Sequence, residues 1–123
     1  LTLYKRLADC KTPLDLHELQ VEMIDRFGLL PEPAKVLFQL AELKQIGEKL
    51  GLKKIEAGPN GGRLQFTPKT QVEPITIIKM VQKEPDTFRL QSNDQLSFTM
   101  PMDDAKQRFE SVNNILGRLL PAA

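Results

Sequence analysis

The stretch VEMIDRFGLLPEPAKVLF, residues 21–38, decides the fold of the first part of the chain. An amphipathic helical pattern runs up to Phe27, stops at Gly28, is interrupted by the prolines of residues 31–33 and then resumes. Glycine favours the backbone conformation that ends helices, and a proline disfavours the helical conformation for the residue before it. The pattern therefore predicts two helices joined by a tight corner. The residue before each proline is expected to be extended, and Pro33 to be the first residue of the second helix.

The helix before this corner is predicted to span about residues 13–27. Thr12 provides a hydroxyl N-cap, Pro13 suits the first helical position, and Asp15 completes an arrangement like a capping box. The apolar stripe of this helix consists of Leu16, Leu19, Met23 and Phe27, with Ile24 beside it. Residues 1–8 also carry apolar side chains at helical spacing, which predicts a short helix or the tail of one.

The second helix is predicted from apolar residues at helical spacing, and Gly51 ends it. These residues are Leu37, Leu40, Leu43, Ile46 and Leu50. Beyond Gly51, an Asn-Gly pair at residues 60–61 lies between two alternating runs and predicts a β-hairpin. A second hairpin is predicted around residues 92–94.

Two further helices accompany the hairpins. The first, within residues 73–85, is predicted from Ile75, Ile78 and Val81 at helical spacing. The second begins after residues 101–104, and the side chains expected to point inward are Ala105, Phe109, Val112, Leu116 and Leu119.

The predicted fold class is α+β. N-terminal helices are followed by two antiparallel hairpins, which are interleaved with a short helix and closed by a C-terminal helix. A chain of 123 residues suits one domain, 1–123, with a helical part over 1–51 and a hairpin-containing part over 52–123. The chain begins at Leu1 and not at Met, so we expect it to be part of a longer protein.

The composition excludes several classes of protein. Hydrophobic residues make up 41% and charged residues 27%, which is typical of a soluble globular domain and not of a disordered one. The net charge is only +1, which disfavours free-standing binding to nucleic acid. No apolar run reaches the length of a membrane span, and no signal-peptide pattern opens the chain. A single cysteine excludes an internal disulfide and a multi-cysteine metal site. This cysteine content fits a protein of a reducing cellular compartment.

Residues that could carry chemistry are isolated from one another. The glycine-rich residues 58–62 lack the Gly-Lys-Ser/Thr of a phosphate-binding loop, and His17 has no ligand partner at a useful spacing. Cys10 has no histidine to activate it, although the adjacent Lys11 is expected to lower its pKa a little. The acids of residues 103–104 suit a helix N-terminus. We therefore expect no enzyme, cofactor site or metal site in this chain.

One charged row on the first long helix is more informative. Asp15, Glu18, Glu22 and Asp25 follow at intervals of three, four and three. Glu22 and Asp25 lie in the last turns, where acids oppose the helix dipole, although Glu22 has Arg26 four residues on. Asp25 has only Leu29 at that spacing. The row is either a plain solvated face or a surface for a partner of complementary charge.

Three stretches of the chain resemble one known family. LYKRLADC (residues 3–10), the stretch 21–38 and LGLKKIEAGPNGGRLQF (residues 50–66) resemble the C-terminal domain of the bacterial transcription-repair coupling factor. The resemblance runs in order over essentially the whole chain. Its most specific part is the DRFG sequence of residues 25–28 with the prolines that follow, and it is looser from Phe88 onward.

The resemblance implies a large, multi-domain parent protein. In this family the parent is an ATP-driven DNA translocase that displaces stalled RNA polymerase. It also recruits the damage-recognition ATPase of nucleotide excision repair. The motor domains, which use ATP and Mg²⁺ and act on double-stranded DNA, would lie outside this chain. The parent protein would be located in the bacterial cytoplasm, in association with the nucleoid.

The resemblance also implies a regulatory role for the domain. The C-terminal domain packs on the N-terminal excision-repair-like module, masks its repair-ATPase-binding surface and restrains the motor. Residues matching Glu22, Asp25 and Arg26 form that contact, opposite basic residues. A rival hypothesis is a nucleic-acid-binding accessory domain that uses the Lys53/Lys54 hairpin, and an enzyme with an unrecognised site is a third.

Overall fold

The structure is a computed structural model, and it describes residues 2–121. The helices are α1 (Thr2–Asp9), α2 (Pro13–Phe27), α3 (Glu32–Leu50), α4 (Pro74–Lys83) and α5 (Ala105–Leu119). The strands are β1 (Leu52–Gly58), β2 (Gly61–Phe66), β3 (Phe88–Ser92) and β4 (Gln95–Thr99). This element order confirms the predicted α+β class.

The chain forms two compact units, the first ending at Gln45 and the second beginning at Ile46. The first unit holds α1, α2 and most of α3, and the second holds the sheet with α4 and α5. The prediction of a single domain, 1–123, with parts 1–51 and 52–123, stays a prediction. Among the residues described, no helix combines the length and the apolar character that crossing a membrane requires.

The start and end of α2 follow from local chemistry. The backbone N–H of Asp15 donates to Thr12 Oγ1 at 3.1 Å, and the backbone N–H of Thr12 donates to Asp15 Oδ2 at 3.3 Å, so the predicted capping box is confirmed. At the other end Gly28 has φ 83° and its N–H donates to the Ile24 carbonyl at 2.8 Å. A glycine is favoured at such a positive φ because it has no Cβ.

The first unit is built around a small apolar core. Its buried side chains are Leu16, Leu19, Leu30 and Phe38, with Leu3, Leu7, Cys10, Met23, Ala34 and Ala41 packed against them. Phe27, predicted to belong to the apolar stripe of α2, is 69% exposed. The prediction that Phe27 is buried was wrong. Phe27 is the last residue of α2, and the buried apolar side chain at this corner is Leu30 instead.

The second helix begins one residue earlier than predicted. Glu32 is helical and not extended, because the Pro31 carbonyl accepts the N–H groups of Ala34 and Lys35 at 3.0 and 3.1 Å. Pro33 is then the second helical residue, where no N–H is needed. The predicted face was also wrong in part, since Leu40 is exposed and Phe38 is buried.

Both predicted hairpins are present, and the second unit joins them into one sheet. The strand order is β1-β2-β4-β3, with every pairing antiparallel. The first loop is Pro59-Asn60, with Gly58 opposite Gly61, instead of a turn centred on Asn-Gly. Proline fixes a negative φ at the first loop position, which excludes the mirror-image turn that Asn-Gly favours.

The two helices of the second unit cover its apolar side chains. In α5, Val112, Leu116 and Leu119 are buried as predicted, Ile115 joins them, and Ala105 is exposed at the helix start. Asp104 caps α5 in a capping box with Gln107.

Helix α4 is also present as predicted, but its inward face differs from the prediction. Met80 is its buried residue, whereas Ile75 and Ile78 are exposed. Ile78 instead lines an open cleft with Leu90 of β3.

The capping box gives a first prediction. Thr12→Ala removes the oxygen that accepts the Asp15 N–H and should lower the free energy of unfolding by about 1 kcal/mol, measured by urea denaturation. Thr12→Ser keeps the hydroxyl and is the control. An equal loss in both variants would contradict the capping role.

Two glycines give a second prediction. A Cβ on Gly62 would collide with the Glu56 carbonyl oxygen and lie 2.8 Å from the Phe98 ring, whereas a Cβ on Gly117 would meet nothing within 4 Å. Gly62→Ala should therefore destabilise by about 1–3 kcal/mol. Gly117→Ala, inside α5, should stabilise by about 0.5–1 kcal/mol. Urea unfolding of both variants tests this, and effects of the same sign would contradict the predicted difference.

Candidate functional site

The three predicted interface residues lie in the last turns of α2, but the structure brings only two of them together. Glu22 Oε2 is 3.7 Å from Arg26 Nη1, which is the i,i+4 pair expected from the sequence. Asp25 is exposed and forms no salt bridge within 4 Å to any residue between 2 and 121. The end of α2 therefore presents one compensated acid and one uncompensated acid.

Glu22 has a second partner that sequence reasoning missed. Arg6 of α1 donates from Nη1 and Nη2 to the two carboxylate oxygens of Glu22 at 2.7 and 2.8 Å. Paired hydrogen bonds of this kind are the geometry that guanidinium and carboxylate groups favour. The sequence carries no local signal for this pair, because the residues are 16 positions apart and meet only when α1 packs on α2.

This ion pair changes the charge properties of both groups. The hydrogen bonds from Arg6, with its positive charge and that of Arg26, hold the pKa of Glu22 below its ordinary value. The same carboxylate raises the pKa of Arg6. Both side chains remain partly exposed, so the pair fixes geometry more than it stabilises the fold.

Arg26 also contacts the aromatic ring that follows it. The guanidinium carbon of Arg26 lies 5.6 Å from the centroid of the Phe27 ring, within the range of a cation–π interaction. Arg26 thus lies between the carboxylate of Glu22 and the face of an exposed aromatic side chain. A continuous set of contacts therefore runs from Arg6 through Glu22 and Arg26 to Phe27.

The acidic row predicted as a single line divides into two pairs. Asp15 and Glu22 are half-buried, and each carboxylate is bound within the first unit. Hydrogen bonds from the backbone of Lys11 and from Thr12 hold the pKa of Asp15 below its ordinary value. Glu18 and Asp25 are exposed. The most exposed acids of the row are therefore Glu18 and Asp25.

The other candidate residues do not assemble into a reactive site. No group of three or more His, Cys, Asp or Glu side chains that could hold a metal ion occurs in the part of the chain that the structure describes. The Cys10 thiol donates to the Arg6 carbonyl at 3.3 Å. Burial, with Asp15 nearby, raises the pKa of Cys10, and the lowering effect expected of Lys11 is present but smaller than these two.

The Lys53/Lys54 hairpin is less basic than its sequence suggests. Lys54 Nζ lies 3.1 Å from Glu56 Oε1, and Arg63 Nη2 lies 3.2 Å from Glu56 Oε2. These two cations hold the pKa of Glu56 below its ordinary value. A carboxylate therefore accompanies the cations that a phosphate backbone would have to contact, which weakens the nucleic-acid hypothesis.

The architecture is similar to that of a crystal structure described as the C-terminal domain of transcription-repair coupling factor. The TM-score is 0.76 at 22% identity, covering 95% of this chain and 76% of the other, and this likeness shows the fold. The model of the TRCF domain family matches residues 1–77. The chain belongs to this family, which confirms the resemblance described from the sequence.

Relatives named transcription-repair-coupling factor extend this result. The protein of Escherichia coli is 41% identical over 119 residues, covering 97% of this chain and 10% of that relative. The protein of Haemophilus influenzae is 41% identical over 116 residues, covering 94% of this chain and 10% of that relative. The chain thus spans about a tenth of the length of the curated relatives it matches.

The Arg6–Glu22 pair gives a third prediction. Because Arg6 is the main cause of the lowered pKa, Arg6→Met should raise the pKa of Glu22 toward its ordinary value, measured by NMR titration of the side-chain carboxyl carbon. Because the pKa of Glu22 is lower in the folded state than in the unfolded state, its ionised form stabilises the fold at pH values above the unfolded-state pKa. This stabilisation is lost as the pH falls through the folded-state pKa. The variant should therefore lose less stability on acidification.

Glu56 is the internal control for this titration. Its pKa is lowered by Lys54 and Arg63 and should not respond to Arg6→Met. An unchanged Glu22 titration curve in the variant would contradict the pairing with Arg6.

Proposed function

We propose that this chain is a regulatory, autoinhibitory domain of a transcription-repair coupling factor. In this proposal it packs on the N-terminal excision-repair-like module of the parent protein, masks the repair-ATPase-binding surface of that module and restrains the DNA translocase motor. The observation that supports it most is the end of α2, where Asp25 is exposed and uncompensated beside a fixed Glu22–Arg26 pair. Membership of the TRCF domain family supports the assignment of the parent.

The proposed contact works through charge complementarity. An acid in the last turns of a helix is locally unfavourable because it opposes the helix dipole. Basic side chains on the facing module would compensate Asp25, and the partner would gain specificity from the match. Glu22, Asp25 and Arg26 are the proposed interface residues.

Tethering makes a weak contact sufficient for regulation. Two modules of one chain meet at a high effective concentration, so the closed state dominates even when each separate interaction is weak. Engagement of the parent with RNA polymerase and double-stranded DNA would then shift the population to an open state. In that state the damage-recognition ATPase of excision repair reaches its binding surface. The motor domains of the parent, with ATP and Mg²⁺, supply the energy, and the location is the bacterial cytoplasm.

The fourth prediction tests this contact directly. The 123-residue chain is titrated with the N-terminal excision-repair-like module at two salt concentrations, by calorimetry. Binding should weaken as salt rises, because exposed charges are screened. The double variant Asp25→Ala/Arg26→Ala should lose about tenfold or more in affinity while its thermal unfolding changes little.

A matched control is available at the end of another helix. Glu48 and Lys49 form an adjacent acid–base pair in the last turn of α3, and both are exposed. Glu48→Ala/Lys49→Ala removes the same charges and should leave the affinity unchanged. Equal affinities of the Asp25/Arg26 variant and the unsubstituted chain would contradict the proposal. Salt-dependent binding of DNA by the chain, lost on substitution of Lys53 and Lys54, would favour the nucleic-acid alternative.

A further inference from the structure

Strand β3 lies at one edge of the sheet, and part of its backbone points away from the strand it pairs with. The strand order β1-β2-β4-β3 leaves β3 paired with β4 alone. The Thr99 N–H donates to the Thr87 carbonyl at 2.8 Å. Because hydrogen-bonded and non-hydrogen-bonded pairs alternate in an antiparallel ladder, the backbone groups of Phe88 and Leu90 point away from β4. In agreement with this direction, the Phe88 N–H donates to the Glu84 carbonyl at 2.9 Å.

The outward backbone groups of Leu90 are the open part of this edge. The N–H and C=O of Leu90 have no hydrogen-bond partner on that side among residues 2–121, and the Leu90 side chain is 45% exposed. A register shift between Leu90 and Ser92 ends the regular pairing beyond this point. An unpaired strand edge is a template on which another extended segment can form hydrogen bonds.

An apolar cleft adjoins this edge on the side of the sheet that carries α4. Leu90 of β3 and Ile78 of α4 both line it, and Ile78 is 42% exposed. The other apolar side chains of the cleft are Phe66, Val72, Pro74 and Ile77. A side chain of an added strand that points to this face would be buried against Ile78 and Leu90, which is favourable for an apolar residue.

The opposite face of the sheet carries two arginines beside the same edge. Arg63 of β2 and Arg89 of β3 are both Cα partners of Ser97 in β4, so their side chains lie on one face on either side of it. Both line a second open cleft, in which Asp86 is the only acid. Arg63 is bound by Glu56, whereas Arg89 forms no salt bridge within 4 Å to any residue between 2 and 121. This face therefore offers positive charge to a partner.

We propose that the β3 edge binds, as an added strand, an extended polypeptide segment from outside this chain in which apolar and acidic residues alternate. The backbone of the segment hydrogen-bonds to Leu90, its apolar side chains enter the cleft at Ile78, and its acidic side chains pair with Arg89. Successive side chains of a strand point to opposite faces, so this alternation matches one apolar face and one basic face. The inference goes beyond the proposed function, whose contact lies on α2, and does not depend on it.

Charge complementarity favours such a segment over a second copy of this chain. Pairing of two β3 strands through Leu90 would put Arg89 of both copies on the same face. The residues of β3, FRLQS, include no acid that could compensate them. An acidic strand compensates Arg89, and complementary charge gives the contact its specificity.

NMR titration of the isotope-labelled 123-residue chain tests the inference. The probe is a blocked peptide of about six residues, a typical strand length, in which valine alternates with glutamate. It should shift the amide signals of Phe88–Ser92 and slow the exchange of the Leu90 N–H with solvent, because this N–H gains an acceptor. The matched peptide with lysine in place of glutamate should bind more weakly at low salt.

Two substitutions at Leu90 separate backbone pairing from side-chain contact. Leu90→Pro removes the outward N–H, which the pairing with β4 does not use, and prolines are tolerated at such edge positions. Leu90→Val keeps the N–H and an apolar side chain. Affinity for the glutamate peptide should be about threefold to tenfold lower in Leu90→Pro than in Leu90→Val. Equal affinities would overturn the proposed strand pairing.

A modified probe gives the same test without changing the fold. N-methylation of the central valine removes a backbone donor from the peptide and keeps its side chains, so binding should weaken as it does in Leu90→Pro. The amide signals of residues outside β3 show whether each variant of the chain retains its fold. Undiminished binding of the methylated peptide would also overturn the strand pairing.

Arg89→Gln tests the charge recognition. This variant should bind the glutamate peptide more weakly at low salt and differ little from the unsubstituted chain at high salt, because exposed charges are screened. Lys106→Gln removes an exposed positive charge from α5 and should leave the affinity unchanged. An equal effect of both substitutions, or equal binding of the lysine peptide, would overturn the preference for an acidic segment.

The remaining outcomes concern where the probe binds and what else occupies the edge. Signal changes at β1 instead of β3, or no changes at all, would overturn the inference. Changes at Leu90 that depend on the concentration of the chain without peptide, with a doubled mass in sedimentation, would assign the edge to a second copy and overturn it as well. Each of these results leaves the proposed function standing, because its contact lies in the first unit.

Discussion

The first unit depends on the burial of Leu30 beneath the corner between α2 and α3. This side chain packs with Leu16 and Leu19 of α2 and Phe38 of α3, so one residue of the connection ties the two helices together. Burying a leucine contributes about 1.5–3 kcal/mol relative to leaving it exposed. Gly28 makes this possible, because its positive φ turns the chain immediately after the last helical residue.

The corner between α2 and α3 also explains why exposed apolar side chains and charged side chains both occur at the end of α2. Once Leu30 occupies the core, Phe27 and Leu29 on either side of Gly28 have no place inside it and remain at the surface. The Arg26 side chain contacts both the Glu22 carboxylate and the Phe27 ring. Arg26 therefore links the Glu22 carboxylate to one of the exposed apolar side chains, Phe27.

Local signals predicted the elements of the fold, and long-range packing decided their faces. The capping box at Thr12, the glycine stops at Gly28 and Gly51 and both hairpins depend on neighbouring residues, so the sequence was sufficient. The inward face of α4 and the pairing of β2 with β4 depend on residues far apart in the chain. For the candidate site, the Glu22–Arg26 pair was predicted from helical spacing, whereas Arg6 required the packing of α1 on α2.

The strand order has a consequence for how the chain is made. The family model ends at residue 77, within α4, whereas β2 completes its pairing only with β4, roughly 30 residues after β2 ends. Until β4 leaves the ribosome, one hydrogen-bonding edge of β2 stays open, and open edges are where strands of different chains join. The point at which the family-model match ends is therefore not a boundary of folding. A chain that stops near residue 77 would present an aggregation-prone edge.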